Sequence, residues 1–179
     1  MSPETLHYLN MFLGVGVIVL QILSVVALAL LIYGKENKYL SLIKDNFIQI
    51  GFFLTFSAVL VSTFYSEVVG YLPCFHCWVQ RIFIFPQAIL FAVAWFRKEA
   101  TVLWYAIPLT ILGLADAIYL NYIYYFNPNS APCDASGVSC VQRLMSEFGG
   151  YISIPMLSLS GFVALLTVLL VVYFYKKDN

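Results

Sequence analysis

Of the 179 residues in this chain, 62% are hydrophobic and only 10% charged, and nine basic side chains balance nine acidic ones. Soluble domains carry about a quarter of their residues as charged side chains, so the composition excludes an ordinary soluble fold and describes an integral membrane protein. No basic patch exists outside the loops, so the lipid bilayer is the expected partner and nucleic acid is not.

A helix that crosses a bilayer needs about 20 predominantly apolar residues. Five stretches qualify, at about 9–33, 47–66, 78–96, 102–125 and 152–175, the third being short until Trp78 to Arg81 are counted with it. The connecting segments leave no room for a separate soluble domain, so the expected architecture is all-α, with the helices packed in one bundle. Lys35, Lys38 and Lys44 lie between the first and second spans, Arg97 and Lys98 between the third and fourth, and Lys176 and Lys177 after the fifth. Seven of the nine basic residues thus share one side, which the positive-inside rule assigns to the cytoplasm. Arg81 and Arg143 fall on the other. The N-terminus and all four cysteines are then expected on the external face, where thiols meet an oxidising compartment in which disulfides persist.

The first span lacks the basic n-region and small-residue cleavage site of a signal peptide, and its apolar run is too long for one, so it reads as a retained helix. Gly14 and Gly16 offer close contact to a neighbouring helix. Gly34 to Lys38 read as a plain cytoplasmic turn. The second span runs into a connector, Tyr65 to Leu72, whose single acid is Glu67: a solvated loop carboxylate, or else a partner for Arg81 or a proton relay.

Next comes Pro73-Cys74-Phe75-His76-Cys77-Trp78-Val79-Gln80-Arg81. Pro73 suits the first position of a helix, or the residue just before it, where no amide is needed. With a helix beginning near Cys74, positions 74, 77 and 81 (i, i+3, i+7) share one face, so both sulfurs and the guanidinium line up. A helix N-terminus and a neighbouring cation favour the thiolate, the form that attacks and leaves in thiol exchange. Cys77 therefore reads as an activated thiol. Two small buried hydrophobes are the plainer alternative, but a CxxC followed one turn later by a cation is hard to reach by packing alone. His76 lies between the cysteines and not after the second, so the motif is not a haem attachment.

Pro86 should kink or loosen the third span. The fourth carries Asp116 well inside its apolar run, an expensive placement. It points either to function or to interhelical glue through hydrogen bonds to Tyr, Ser or Asn on a neighbour. Asn121 and Tyr119, Tyr122, Tyr124 and Tyr125 read as an outer interfacial belt. In the external segment from Asn127 to Tyr151, Cys133 and Cys140 are separated by Asp-Ala-Ser-Gly-Val-Ser, small residues that let the sulfurs meet and the segment move. Val141, Leu144, Met145 and Phe148 then recur at i, i+3, i+4 and i+7, which predicts a short helix lying in the membrane interface. Gly149-Gly150 ends it, and Pro155 marks the start of the fifth span.

Four cysteines in two pairs on one face allow two structural disulfides, a tetrahedral zinc site or a redox relay. A disulfide stabilises mainly by constraining the unfolded chain, more so for a long loop, and a CxxC closes too small a loop to help. The relay is preferred. Thiol exchange moves electrons only between sulfurs, so net oxidation of a partner needs a two-electron acceptor, and in a membrane the obvious one is a lipid-soluble quinone. Cys77, Gln80 and Arg81 sit where an interfacial headgroup would dock, with Trp78, Phe75 and Phe85 as aromatic walls. A membrane scaffold or transporter with structural cysteines is the reading outside redox chemistry.

The run from Tyr65 to Arg81, with Ile82-Phe83-Ile84-Phe85-Pro86 after it, closely resembles the DsbB/BdbC family of disulfide-forming membrane proteins. So does Tyr151 to Leu159, which is similar to the start of that family's last helix. The short gap between Cys133 and Cys140 is more like the BdbC branch. The resemblance implies a quinone-dependent protein-disulfide-forming oxidoreductase of the bacterial cytoplasmic (inner) membrane. Its DsbB-like four-helix bundle would occupy residues 41–179, with the external Cys loop at 126–151. An additional N-terminal span and cytoplasmic turn at 1–40 fall outside the family's four-helix pattern. The resemblance further implies that a thioredoxin-fold extracytoplasmic thiol oxidase of the DsbA/BdbD type attacks Cys133, and that Cys140 then exchanges with Cys74. Cys77 would pass the electrons to ubiquinone or menaquinone, with Arg81 stabilising charge. The related vitamin K epoxide reductase-like proteins, quinone reductases with a similar set of cysteines, place the loop pair before the CxxC, the reverse of the order here.

Overall fold

The computed structural model describes residues 3–33, 37–127, 139–142 and 144–175. Cys133, Arg143, Lys35, Lys176 and Lys177 lie outside the described residues. Six α-helices are found among those described: α1 (Pro3–Ile32), α2 (Lys38–Asp45), α3 (Phe47–Thr63), α4 (Phe75–Arg97), α5 (Val102–Phe126) and α6 (Ile154–Phe174). Five are long and apolar enough to cross a membrane, the second of them, α3, continuing through a π-helical turn at Phe64–Val68. The chain is an all-α, multi-pass membrane protein, as its composition requires. Local chemistry sets the helix ends. Ser153 caps α6 by accepting from the Met156 amide, with Pro155 in the first turn, and left-handed Lys98 ends α4. Pro86 does not interrupt α4.

Helices α3, α4, α5 and α6 enclose the core around Phe91, Leu165 and Leu169. Two glycines let large rings sit against backbone. A Cβ at Gly51 would come within 2.5 Å of Phe91, and one at Gly113 would overlap the Phe162 ring. Helix α1 packs along α6, where Gln21 Nε2 donates to Ser160 Oγ (2.7 Å) and Tyr151 Oη donates to Gln21 Oε1 (2.9 Å).

Three local expectations are corrected. Of the turn expected at 34–38, residues 34–36 lie outside the described residues, and Lys38 already opens helix α2, whose Asn37 cap accepts from the Tyr39 amide (2.9 Å) and whose Leu40 and Ile43 are buried. Its Leu40–Ile43 pair, three residues apart, supplies the apolar stripe that holds so short a helix in place. The interfacial helix predicted after Cys140 does not form. Glu147 and Ile152 instead pair as an antiparallel bridge, each amide donating to the other's carbonyl at 3.1 Å, around a 3-10 turn at Phe148–Gly150. Gly149 and Gly150 take φ of 70° and 90°, which reverses the chain. Leu144 spends its carbonyl on the Tyr71 hydroxyl (3.1 Å), and Met145 is buried against Tyr65. Tertiary partners thus take the groups that the helix would have used. Finally, Asn121 and Tyr124 belong to the interior and not to the aromatic belt, because Ala117, Leu120, Asn121 and Tyr124 form one buried stripe of α5. Asn121 Nδ2 donates to the carbonyls of Ala117 (2.8 Å) and Pro155 (2.9 Å). Tyr119 and Tyr122 do face outward.

Candidate functional site

Helix α4 begins at Phe75, and Cys74 is its N-cap, in an extended conformation, so Pro73 precedes the cap instead of opening the helix. The cap position buries Cys74 to 4% exposure and sets its Sγ 3.4 Å from Cys77 Sγ. Cys140 also comes within hydrogen-bonding reach of Cys74, and its sulfur accepts from the His76 amide. Cys74, Cys77 and Cys140 are all free thiols. The Cys140 contact favours the Cys74 thiolate, but the hydrogen bond with Cys77 and burial outweigh it, and the Cys74 thiol is pushed up to about 11. Cys140 is also raised, first by its hydrogen bond with Cys74 and then by burial. Both therefore rest as thiols at neutral pH, and an exchange between them needs a proton to leave. The structure brings one member of the second pair to the CxxC; the other, Cys133, is outside the described residues.

Cys77 and Arg81 share a face as their spacing requires, and both line a cavity of about 340 Å³ between α1, α3, α4 and α6. The guanidinium is held from α3 and its π-turn. Nε donates to Ser62 Oγ (2.9 Å), and Nη2 donates to the Ser62 carbonyl (3.0 Å) and to Ser66 Oγ (2.8 Å). Its outer side lies 5.1 Å from the Trp78 ring and 6.0 Å from that of Phe85, a cation–π arrangement that fixes the cation further. Among the described residues no carboxylate pairs with Arg81, and Glu67 is exposed. A positive charge held by neutral oxygens keeps its field for whatever occupies the cavity. Trp78 and Phe85 back the cation without lining the cavity, and Phe75 is exposed at the start of the helix. The cavity takes its rings from Phe12, Phe162 and the pair Tyr65 and Tyr71, stacked with centroids 5.8 Å apart.

Asp116 does form interhelical bonds, but to other partners than Tyr, Ser or Asn. His76 Nδ1 lies 2.7 Å from Asp116 Oδ1, and Gln80 Nε2 donates to Oδ2 at 3.1 Å. His76 and Gln80 lie one turn apart on α4, so the carboxylate clamps its first two turns to α5. Gln80 reaches the cavity as well. Sequence reasoning missed Ser62, Ser66, Tyr65 and Tyr71. The serines carried a signal: two hydroxyls four residues apart on one face of an apolar helix.

The chain matches the family model for disulfide bond formation protein DsbB over residues 44–172. A probable disulfide formation protein C 2 of Bacillus cereus is 35% identical over 137 residues, which covers 76% of this chain and 95% of the relative. A probable disulfide formation protein of Metapseudomonas resinovorans is 37% identical over 66% of this chain and 86% of its own length. The disulfide bond formation protein C of Bacillus subtilis is 33% identical over 61% of this chain and 79% of its own length. No solved structure matches. With α3 to α5 and all but the last two residues of α6 inside the matched residues, and the cysteine site among them, this chain belongs to the DsbB family of disulfide bond formation proteins.

Proposed function

We propose that this oxidoreductase restores the disulfide of a thioredoxin-fold extracytoplasmic thiol oxidase of the DsbA/BdbD type and passes the electrons through its two cysteine pairs to a membrane quinone. In this reading the cysteine end faces outward and Lys38, Lys44, Arg97 and Lys98 face the cytoplasm. Residues 41–179 are the catalytic bundle with the loop 126–151, and residues 1–40 are an added span and turn. The observation that carries it is the row Cys140, Cys74, Cys77, which ends at a cavity holding a cation.

The chemistry follows that row. A partner thiolate attacks Cys133 of an oxidised Cys133–Cys140 pair, forming a mixed disulfide and releasing Cys140 as a thiolate. Cys140 attacks Cys74 of an oxidised Cys74–Cys77 bond, and Cys77 leaves as the thiolate, beside Arg81. The partner's second thiolate resolves the mixed disulfide, and the freed Cys133 attacks Cys140 of the Cys140–Cys74 bond, restoring the loop pair and releasing Cys74 as a thiolate. Partner and loop are then oxidised, and the two electrons rest on Cys74 and Cys77. A bound quinone supplies the acceptance of two electrons and two protons. The cavity fits such a group. Its volume falls within the range of ligand pockets, about 300–1,000 Å³. Its lining is mostly apolar, with Arg81, Gln80, Ser62, Ser66 and the tyrosines near Cys77 as the residues that would hold a headgroup, and the hydroxyls of Thr55, Ser57 and Ser158 elsewhere.

The test is partner-coupled quinone reduction, followed by the bleaching of quinone absorbance with purified protein and a reduced thioredoxin-fold partner. Cys77→Ser is expected to abolish quinone reduction. Cys133→Ala is expected to block partner oxidation while a small dithiol still drives the CxxC. Unimpaired turnover in either variant rejects that residue's role.

A further inference from the structure

Helix α1 lies outside the matched residues 44–172, yet it is one wall of the cavity. Phe12, Leu13, Gly16, Val17 and Leu20 face Leu54 of α3 and its neighbours across it. Polar bonds on several levels hold α1 there: Tyr65 to Asn10, His7 to Glu147 (3.0 Å), and Gln21 to Ser160 and Tyr151. The cavity is long and carries its charge at one end only. On α6 it is lined from Ile154 to Leu165, which at 1.5 Å per residue is about 16 Å along the helix. Arg81, Ser62, Ser66 and Cys77 cluster at the cysteine end, while the deeper lining comes from Leu20, Leu54 and Leu165 and from Thr55, whose hydroxyl donates to the Gly51 carbonyl of its own helix. At Gly16 an added Cβ meets no heavy atom within 4 Å, so the helix leaves open space on that wall. A polar mouth beside a cation and an apolar trough too long for a single ring suit an amphiphile, with its head at Arg81 and its chain lying inward.

We propose that α1 is the wall that retains the acceptor's hydrocarbon chain, which lies between α1, α3 and α6 when the ring is at Arg81. This rests on the quinone reading above and extends it to a helix outside the family match.

The test compares two quinones with the same ring, one bearing a ten-carbon tail and one tailless. Each is titrated by equilibrium dialysis into the oxidised full-length protein without reductant, so that no turnover occurs. Gly16→Trp is expected to weaken the tailed quinone at least tenfold and the tailless one less than twofold. Val19→Trp, on the exposed side of α1, is expected to change neither. A diazirine at the tail end should label α1 peptides. If Gly16→Trp fails to fold, Gly16→Leu takes its place, with an expected three- to tenfold loss for the tailed quinone alone. An unchanged affinity for the tailed quinone, an equal loss for both quinones, or labelling confined to α4 and α5 overturns the role of α1. Wild-type protein that binds neither quinone rejects the quinone reading itself.

Discussion

Replacing Asp116 separates hydrogen bonding from charge in the membrane-embedded clamp. Its carboxylate is 14% exposed and takes bonds from His76 at 2.7 Å and Gln80 at 3.1 Å. Interhelical hydrogen bonds in membrane proteins are worth about 0.6 kcal/mol each and up to about 1.7. A donor left buried without a partner adds about 1–3 kcal/mol. Asp116→Ala removes two bonds and strands at least the Gln80 amide, so a loss of about 2–4 kcal/mol is expected. Asp116→Asn differs: its oxygen still accepts from Gln80, and its amide donates to His76 Nδ1 once the imidazole adopts the other tautomer. Its expected loss is under about 1 kcal/mol. Because the His76 amide contacts the Cys140 sulfur, the alanine variant should also slow exchange between Cys140 and Cys74, and the asparagine variant should not. Equilibrium unfolding in detergent micelles gives the stabilities, and trapping of the Cys140–Cys74 disulfide after rapid mixing gives the exchange rate. An alanine variant within about 0.5 kcal/mol of wild type refutes the clamp, and an asparagine variant as unstable as alanine shows that charge holds the helices.

The Cys74 thiol, at about 11, lies above its ordinary value, so the folded protein keeps its proton through the interval from 9 to 11 in which an unfolded chain loses it. Its alkylation should therefore stay slow at pH 9 and rise toward pH 11, and Cys77→Ala, which removes a hydrogen bond that raises Cys74, should move the midpoint down. A midpoint near 9 in the wild type contradicts the combined effect of the Cys77 hydrogen bond and burial. Removing both hydroxyls in Ser62→Ala/Ser66→Ala deprives Arg81 of two of its three bonds from α3 and its π-turn. At about 1–2 kcal/mol of lost positioning, the apparent quinone KM should rise about five- to thirtyfold with kcat little changed. A KM within twofold of wild type removes the serines from the site.

The parts of the site legible in the sequence were those set by a single helix. Cys77 and Arg81 reach one cavity because α4 is regular from Phe75 to Arg97 and four residues return a side chain to the same face. Ser62 and Ser66 were within reach of the same reasoning. The partners of Asp116 were not, since His76 and Gln80 lie 40 and 36 residues away and no spacing rule selects them over a hydroxyl. The segment after Cys140 misled because its apolar spacing fits a helix, while its backbone groups are claimed by Tyr71 and by the Glu147–Ile152 bridge.

By itself, then, the sequence settled the membrane class, the five spans and the register of the CxxC with its arginine. Hydropathy and helical period depend on neighbours within a few turns, and a bilayer core forces each long apolar run to satisfy its own backbone. Only the tertiary structure decided that Cys140 sits against Cys74, that Asn121 and Tyr124 turn inward, and that α1 walls the cavity. Those outcomes depend on which helices pack together, and in an apolar solvent that choice is made by small-residue contacts and scattered hydrogen bonds between distant residues, which leave no periodic trace along the chain.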